Sequence, residues 1–148
     1  MTKHILVATD GSELAGKAVA YAIDLAKNLS AKLTAVTVSE SWSPIDIANK
    51  AQAGHFKAIE EFEKHAADIA NKILKDATDI AQRTGAQIAT LHVPDANPAE
   101  GIVQAAEKQG CDLIVMASHG RRGLSKLVLG SQAQEVMSLS KTPVLIYK

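Results

Sequence analysis

The chain has 148 residues, of which 47% are hydrophobic, 22% charged and only 3% aromatic, with 16 basic side chains against 16 acidic ones and a single cysteine. That length is most simply one domain over residues 1–148, with a core built from Ala, Val, Ile and Leu. Zero formal net charge argues against a nucleic-acid binder relying on global positive charge, the lone Cys111 rules out an intrachain disulfide framework, and no apolar run reaches the roughly 18 residues of a spanning helix.

His4-Ile5-Leu6-Val7-Ala8-Thr9-Asp10 opens as a strand buried on both faces. Its start lacks the layout of a signal peptide, so a soluble cytoplasmic protein without membrane or nucleic-acid partners is expected. Gly11-Ser12 breaks the strand, and Ser12 caps a helix with Glu13 in its first turn. Ala18, Val19, Ala22, Ile23, Ala26 and Leu29 recur at helical spacing. Gly16 inside this helix costs it about 1 kcal/mol against Ala, which close packing would justify.

Ala31–Val38 is the second strand, supported by its β-branched residues. The pattern is lost from Ser39 to Gly54, a loop long enough to be functional, as a lid or a partner contact. From His55 to Thr84 the helical period is strongest: Phe56, Ile59, Phe62, Ala66, Ile69, Ile73, Ala77 and Ile80 predict a core-facing stripe, with Gly85 as the stop. Ala86–Val93 is the third strand. Asn97-Pro98-Ala99-Glu100 carries a capping residue, a proline at the first helical position and a glutamate placed for a capping box. That helix ends at Gly110, and Cys111–Met116 is the fourth strand. A helix from about Ser131 to Ser140 precedes the fifth strand, Val144–Tyr147. Strands of buried type alternating with helices predict an α/β fold, a parallel sheet with helices on both faces.

In such sheets ligands bind beyond the carboxyl ends of the strands. The stretch from Ala117 to Ser131 leaves the fourth strand rich in Gly and Arg and ends in Gly130-Ser131 at a helix start. Glycines admit close approach, helix-start N–H groups favour an anion, and Arg121 and Arg122 supply charge. A turn with a solvated basic patch is the alternative. Asp10 reads equally as a carboxylate for a ligand amine, hydroxyl or metal and as a local cap. His119 reads as a ring holding the loop rather than as an acid–base group, and His92 as a strand histidine. His4, His55 and His65 share no metal-ligand spacing. Neither Gly-x-x-x-x-Gly-Lys-Ser/Thr nor Gly-x-Gly-x-x-Gly occurs.

The first strand ending Val7-Ala8-Thr9-Asp10-Gly11-Ser12, the loop Ser118-His119-Gly120-Arg121-Arg122-Gly123 with Leu129-Gly130-Ser131, and the final Pro143-Val144-Leu145-Ile146 together resemble the universal stress protein family over the whole chain. ATP-binding members carry Gly, two residues, Gly, nine residues, then Gly-Ser or Gly-Thr. Here Gly120, nine residues and Gly130-Ser131 match, and Ala117 stands where the first glycine would be. The resemblance implies a single doubly wound five-stranded sheet of order 3-2-1-4-5. It implies ATP as ligand, optionally with Mg. Ala8, Thr9 and Asp10 would lie beside adenine and ribose, and Val38 would offer backbone groups to the adenine edge. Ala117 and Gly120 would approach the ribose and inner phosphates, Gly130, Ser131 and Gln132 the outer ones, with Arg121 and Arg122 as further phosphate partners. It also implies a homodimer through Val144–Tyr147 and ATP bound as a signal, the alternatives being a slow ATP hydrolase or phosphotransferase and a nucleotide-independent dimeric adaptor.

Overall fold

The computed structural model of the chain describes residues 1–40, 43–120 and 128–148. The strands β1 (His4–Ala8), β2 (Lys32–Val38), β3 (Ala89–Val93), β4 (Leu113–Ala117) and β5 (Val144–Tyr147) form one parallel sheet in the order β3-β2-β1-β4-β5. This is the order that the resemblance implied. The helices are α1 (Glu13–Leu29), α2 (Pro44–Gln52), α3 (Phe56–Arg83), α4 (Pro98–Gln109) and α5 (Ser131–Leu139). Among the described residues no helix is long and apolar enough to cross a membrane.

The two faces of the sheet follow from strand alternation. Ile5, Val7, Leu33, Ala35 and Val115 pack against α1 and α3, meeting Val19, Ile23, Leu74 and Ala77. Leu6, Ala8, Val36, Ile114 and Met116 pack against α4 and α5, meeting Ile102, Val103, Ala106 and Val136. β1 and most of β4 are therefore buried on both faces, as their continuous apolar runs require. Truncating Ile5 or Ile114, both fully buried, to Ala would cost about 2–5 kcal/mol.

Local signals set the helix ends. The side chains of Ser12 and Asn97 accept the N–H groups of Ala15 and Glu100 at 3.2 Å. Gly110 closes α4 at φ 66°, and Gly85 follows α3 at φ 68°. These are the caps and stops expected from the residues.

Four readings are corrected. Ser39–Gly54 is not patternless: it contains α2, opened by the Ser43 hydroxyl on the Asp46 N–H and by Pro44 in its first turn. α2 buries no residue, so it has no apolar period to read. β3 starts at Ala89, because Ala86 and Ile88 pack on the α1/α3 side before strand pairing begins. Gly16 meets nothing across its helix within 4 Å among the described residues, so close packing does not account for it. Lastly, the Phe56–Ile69 part of the α3 stripe is not core. Phe56 is 62% exposed and Ile69 43%, and full burial begins only at Ala70. The cause is length. α3 has 28 residues, about 42 Å of helix, while strands of 5–7 residues span about 17–23 Å. Its N-terminal half overhangs the sheet. Trp42 lies outside the described residues.

Candidate functional site

In the order β3-β2-β1-β4-β5 the chain winds outward from β1 through β2 to β3, then crosses back to β4 beside β1. The switch in direction falls between β1 and β4, where an open α/β sheet leaves a crevice at its carboxyl edge. Asp10 leaves β1 and Gly120 leaves β4 at this edge.

The two residues meet there. A Cβ added to Gly120 would land on Asp10 Oδ2 and stand 3.3 Å from its Cγ. Asp10 Oδ1 accepts the N–H of Ser12 at 2.9 Å, an Asx turn that fixes the carboxylate. The capping reading of Asp10 is thus realised by one oxygen, while the other faces the loop leaving β4. Ala8 and Thr9 are buried beneath. The Thr9 N–H donates to Val36 O at 2.9 Å, and its hydroxyl oxygen accepts the Gly11 N–H at 3.2 Å.

Val38 extends β2 beyond this bond. Ser39 N–H donates to Val93 O at 2.9 Å, so Ser39 addresses β3. Backbone groups alternate in direction along a parallel strand, so the N–H and C=O of Val38 address the β1 side, past the Thr9–Val36 bond. The Val38 side chain packs into α4, where a Cβ at Gly101 would stand 3.0 Å from both of its methyl groups.

Across the crevice, α5 starts against the exit of β4. Gly130 N–H donates to Ser118 O at 2.7 Å. A Cβ on Gly130 would lie 2.8 Å from that oxygen and 3.2 Å from His119 Cα, so only glycine fits without a backbone shift. The Gly130 N–H is committed, and its C=O accepts Gln134 N–H at 3.0 Å. The remaining helix-start donors, which have no intrahelical partner, are those of Ser131, Gln132 and Ala133. Among the described residues no side chain caps α5, in contrast to α1, α2 and α4. Ser131 is exposed, and Gln132 Oε1 is buried with no hydrogen-bond partner among the described residues. Ala117 is buried at the end of β4 in register with Tyr147. His119 Nδ1 lies 3.1 Å from Ser118 Oγ, in keeping with a ring that holds the loop. Arg121 and Arg122 lie outside the described residues.

The structure therefore brings Asp10 to Gly120, and Gly130 to Ser118 and His119, at one edge. Sequence reasoning missed Ser118, whose contribution is a backbone oxygen that no residue type announces. It also missed two adjoining grooves on the α3 side, with cavity volumes of about 260 and 220 Å³. They lie over the ends of β2 and β3, where His92 Nε2 is 2.8 Å from Ser39 Oγ. Val38 borders the larger of them.

Comparison with known proteins agrees with this fold. The model of the "Universal stress protein family" matches residues 1–148. Universal stress protein MJ0531 of Methanocaldococcus jannaschii is 35% identical over 146 residues, covering 99% of this chain and 82% of the relative. Universal stress protein YxiE of Bacillus subtilis is 34% identical over 155 residues, covering both chains fully. Among solved structures, a universal stress protein in complex with cAMP superimposes with a TM-score of 0.69 at 28% identity, covering 99% of this chain and 97% of that one.

Proposed function

The chain belongs to the universal stress protein family, and from that membership we propose that it is a cytoplasmic stress-response protein that binds ATP at the β1–β4 crevice. The observation that carries the reading is the approach of Gly120 to Asp10 at the switch point, where a side chain would fill the space. One further feature fits a nucleotide with phosphates. Among the described residues no side chain caps the start of α5. A helix N-terminus of this kind attracts anionic oxygens.

In this reading Asp10, with the Ala8-Thr9 backbone, lies beside the adenine and ribose. The outward-directed N–H and C=O of Val38 address the adenine edge. Gly120 admits the ribose and inner phosphates, with buried Ala117 beneath. Gly130 lets α5 begin close to the crevice, and Ser131 and Gln132 donate to the outer phosphates. Arg121 and Arg122 add charge from the intervening loop. ATP supplies the charged triphosphate whose presence or absence is the signal. Phosphoryl transfer needs a positioned base or nucleophile and a held metal, and the sequence has no P-loop lysine. Binding without appreciable hydrolysis is therefore the reading adopted.

The protein acts as a homodimer through β5. That strand is a sheet edge of four half-buried residues, Val144 to Tyr147, and pairing with a second copy would cover its open backbone groups.

Isothermal calorimetry with ATP, ADP, AMP and cAMP tests the ligand. The reading expects saturable ATP binding with no phosphate release on the same timescale. Absence of binding by every nucleotide at millimolar concentration would end it. The relative solved with cAMP favours a second reading, a single-phosphate adenine nucleotide. Tighter binding of AMP or cAMP than of ATP would select that one.

A further inference from the structure

The register that sets β2 beside β3 also brings a serine to a histidine. Leu33 and Ala35 pack on the α1 and α3 side of the sheet, so Thr37 and Ser39 fall on that side as well. His92 is in register with Thr37, while its neighbours Leu91 and Val93 pack on the opposite, α4 side. Ser39 and His92 are therefore diagonal neighbours on the α3 face, and Ser39 Oγ stands 2.8 Å from His92 Nε2. The backbone of Ser39 is held on both sides: its N–H donates to Val93 O at 2.9 Å, and its C=O accepts the Ala96 N–H at 3.2 Å. The pair opens onto empty space. The two grooves share Ser39, Glu40, Phe62 and Ala66, so they form one trough over the carboxyl ends of β2 and β3. Ser39 lines both parts of it and His92 the smaller, while Ile69, Ala70 and Ile73 give the larger part an apolar wall.

From this geometry we propose that Ser39 is a nucleophile with His92 as its general base, and that the trough takes a small neutral acyl ester. A serine hydroxyl is a weak nucleophile until a neighbouring base takes its proton, and 2.8 Å is within the reach this needs. With the ring proton on Nδ1, Nε2 is the acceptor and the Ser39 hydroxyl donates to it. Cavity volumes of about 260 and 220 Å³ limit the ligand to a small one, and the apolar wall suits a short acyl chain better than a charged group. Ser39 Oγ bonds to the ester carbonyl carbon as its proton passes to His92 Nε2. The ester C–O bond then breaks, the acyl group stays on Oγ, and the departing alcohol takes the proton from Nε2. Water gives a proton to Nε2 and attacks the acyl-serine; the carboxylic acid leaves and the proton returns to Oγ. The chemistry needs no nucleotide at the β1–β4 crevice.

The test uses the full chain with two probes. An alkyl fluorophosphonate traps the first step, because Oγ bonds to phosphorus as fluoride leaves, and p-nitrophenyl butyrate reports turnover by nitrophenolate release. Intact-mass measurement should show one phosphonate adduct per folded chain, and peptide mapping should place it on Ser39. Ser39→Ala should abolish both the adduct and the ester turnover. His92→Gln keeps an acceptor for the Ser39 hydroxyl but takes no proton, so labelling and turnover should each slow about 100-fold or more. The urea-unfolded wild type, which needs no variant to fold, should not label. Three outcomes would overturn the proposal. The folded chain could remain unlabelled at millimolar probe. The adduct could map to residues other than Ser39, or form equally on the unfolded chain. His92→Gln could react at the wild-type rate, which would reduce the 2.8 Å contact to a structural hydrogen bond.

Discussion

Gly120 lies against the carboxylate of Asp10, so close that a methyl group on Gly120 would overlap Asp10 Oδ2. What a larger residue would displace is the end of a side chain, whose Oδ1 accepts the Ser12 N–H at 2.9 Å. Gly120→Val should therefore push Asp10 out of its turn and fill the crevice while leaving the buried core untouched. ATP affinity should fall about tenfold or more, at least about 1.4 kcal/mol, with the melting temperature lowered by only a few degrees. Calorimetry and thermal melting on one preparation check both halves.

Gly130 is the contrasting case. The atoms that a Cβ would meet, Ser118 O at 2.8 Å and His119 Cα at 3.2 Å, are backbone. Neither can swing aside, so Gly130→Ala must move the start of α5 or the exit of β4. The expected cost is about 1–3 kcal/mol in urea unfolding, the range for overpacking. A variant as stable as the wild type would show that the α5 start shifts freely.

Gly16 should behave in the opposite sense. It sits in the interior of α1 with nothing packed across it among the described residues. Gly16→Ala should stabilise the protein by about 0.5–1 kcal/mol, read as a higher urea midpoint at unchanged slope.

The two ends of the pH range should report on neighbouring groups. Asp112 accepts the N–H of Lys3 at 2.8 Å and of His4 at 3.2 Å, and these backbone bonds, that from Lys3 first, hold its carboxyl below the usual range. A carboxyl depressed in the folded state contributes stability above its unfolded pKa, and that stability is lost as pH falls through the folded value. Unfolding midpoints should therefore decline below about pH 4, and Asp112→Asn should flatten that decline. The buried Cys111 thiol is pushed up to about 11, by burial first and by the Asp112 charge second. Its folded pKa is raised, so its contribution is intact below the ordinary thiol value and is lost as pH rises toward 11. At pH 8 the native thiol should react with a disulfide reagent far more slowly than the unfolded chain, and Cys111→Ser should remove its share of the alkaline loss.

Much of the fold was legible because local chemistry and burial agree along most of the chain. Ile5–Val7 and Ile114–Met116 are apolar without a break because both faces of those strands are covered. Ser12, Asn97 and Gly110 announce helix ends by type. The overhang of α3 was not legible. Phe56 and Ile69 repeat the period of Ile73 and Ala77, and periodicity gives a helix its face but not the length of the surface beneath it. α2 was hidden because a helix that buries nothing has no apolar stripe, leaving Ser43-Pro44 as its only sign. At the site, residue types drew attention to Asp10 and Gly120, but their contact needed the strand order that sets β1 beside β4. The role of Ser118 needed the backbone itself.

The most direct measurement is a titration of ATP into 15N-labelled protein, followed by amide chemical shifts. The account predicts saturable shifts at Gly11, Gly120, Ser131, Gln132 and Ala133, which flank the crevice, and their loss in Gly120→Val. Unmoved amides at millimolar ATP, or shifts confined to the trough around Phe62 and Ile69, would contradict it.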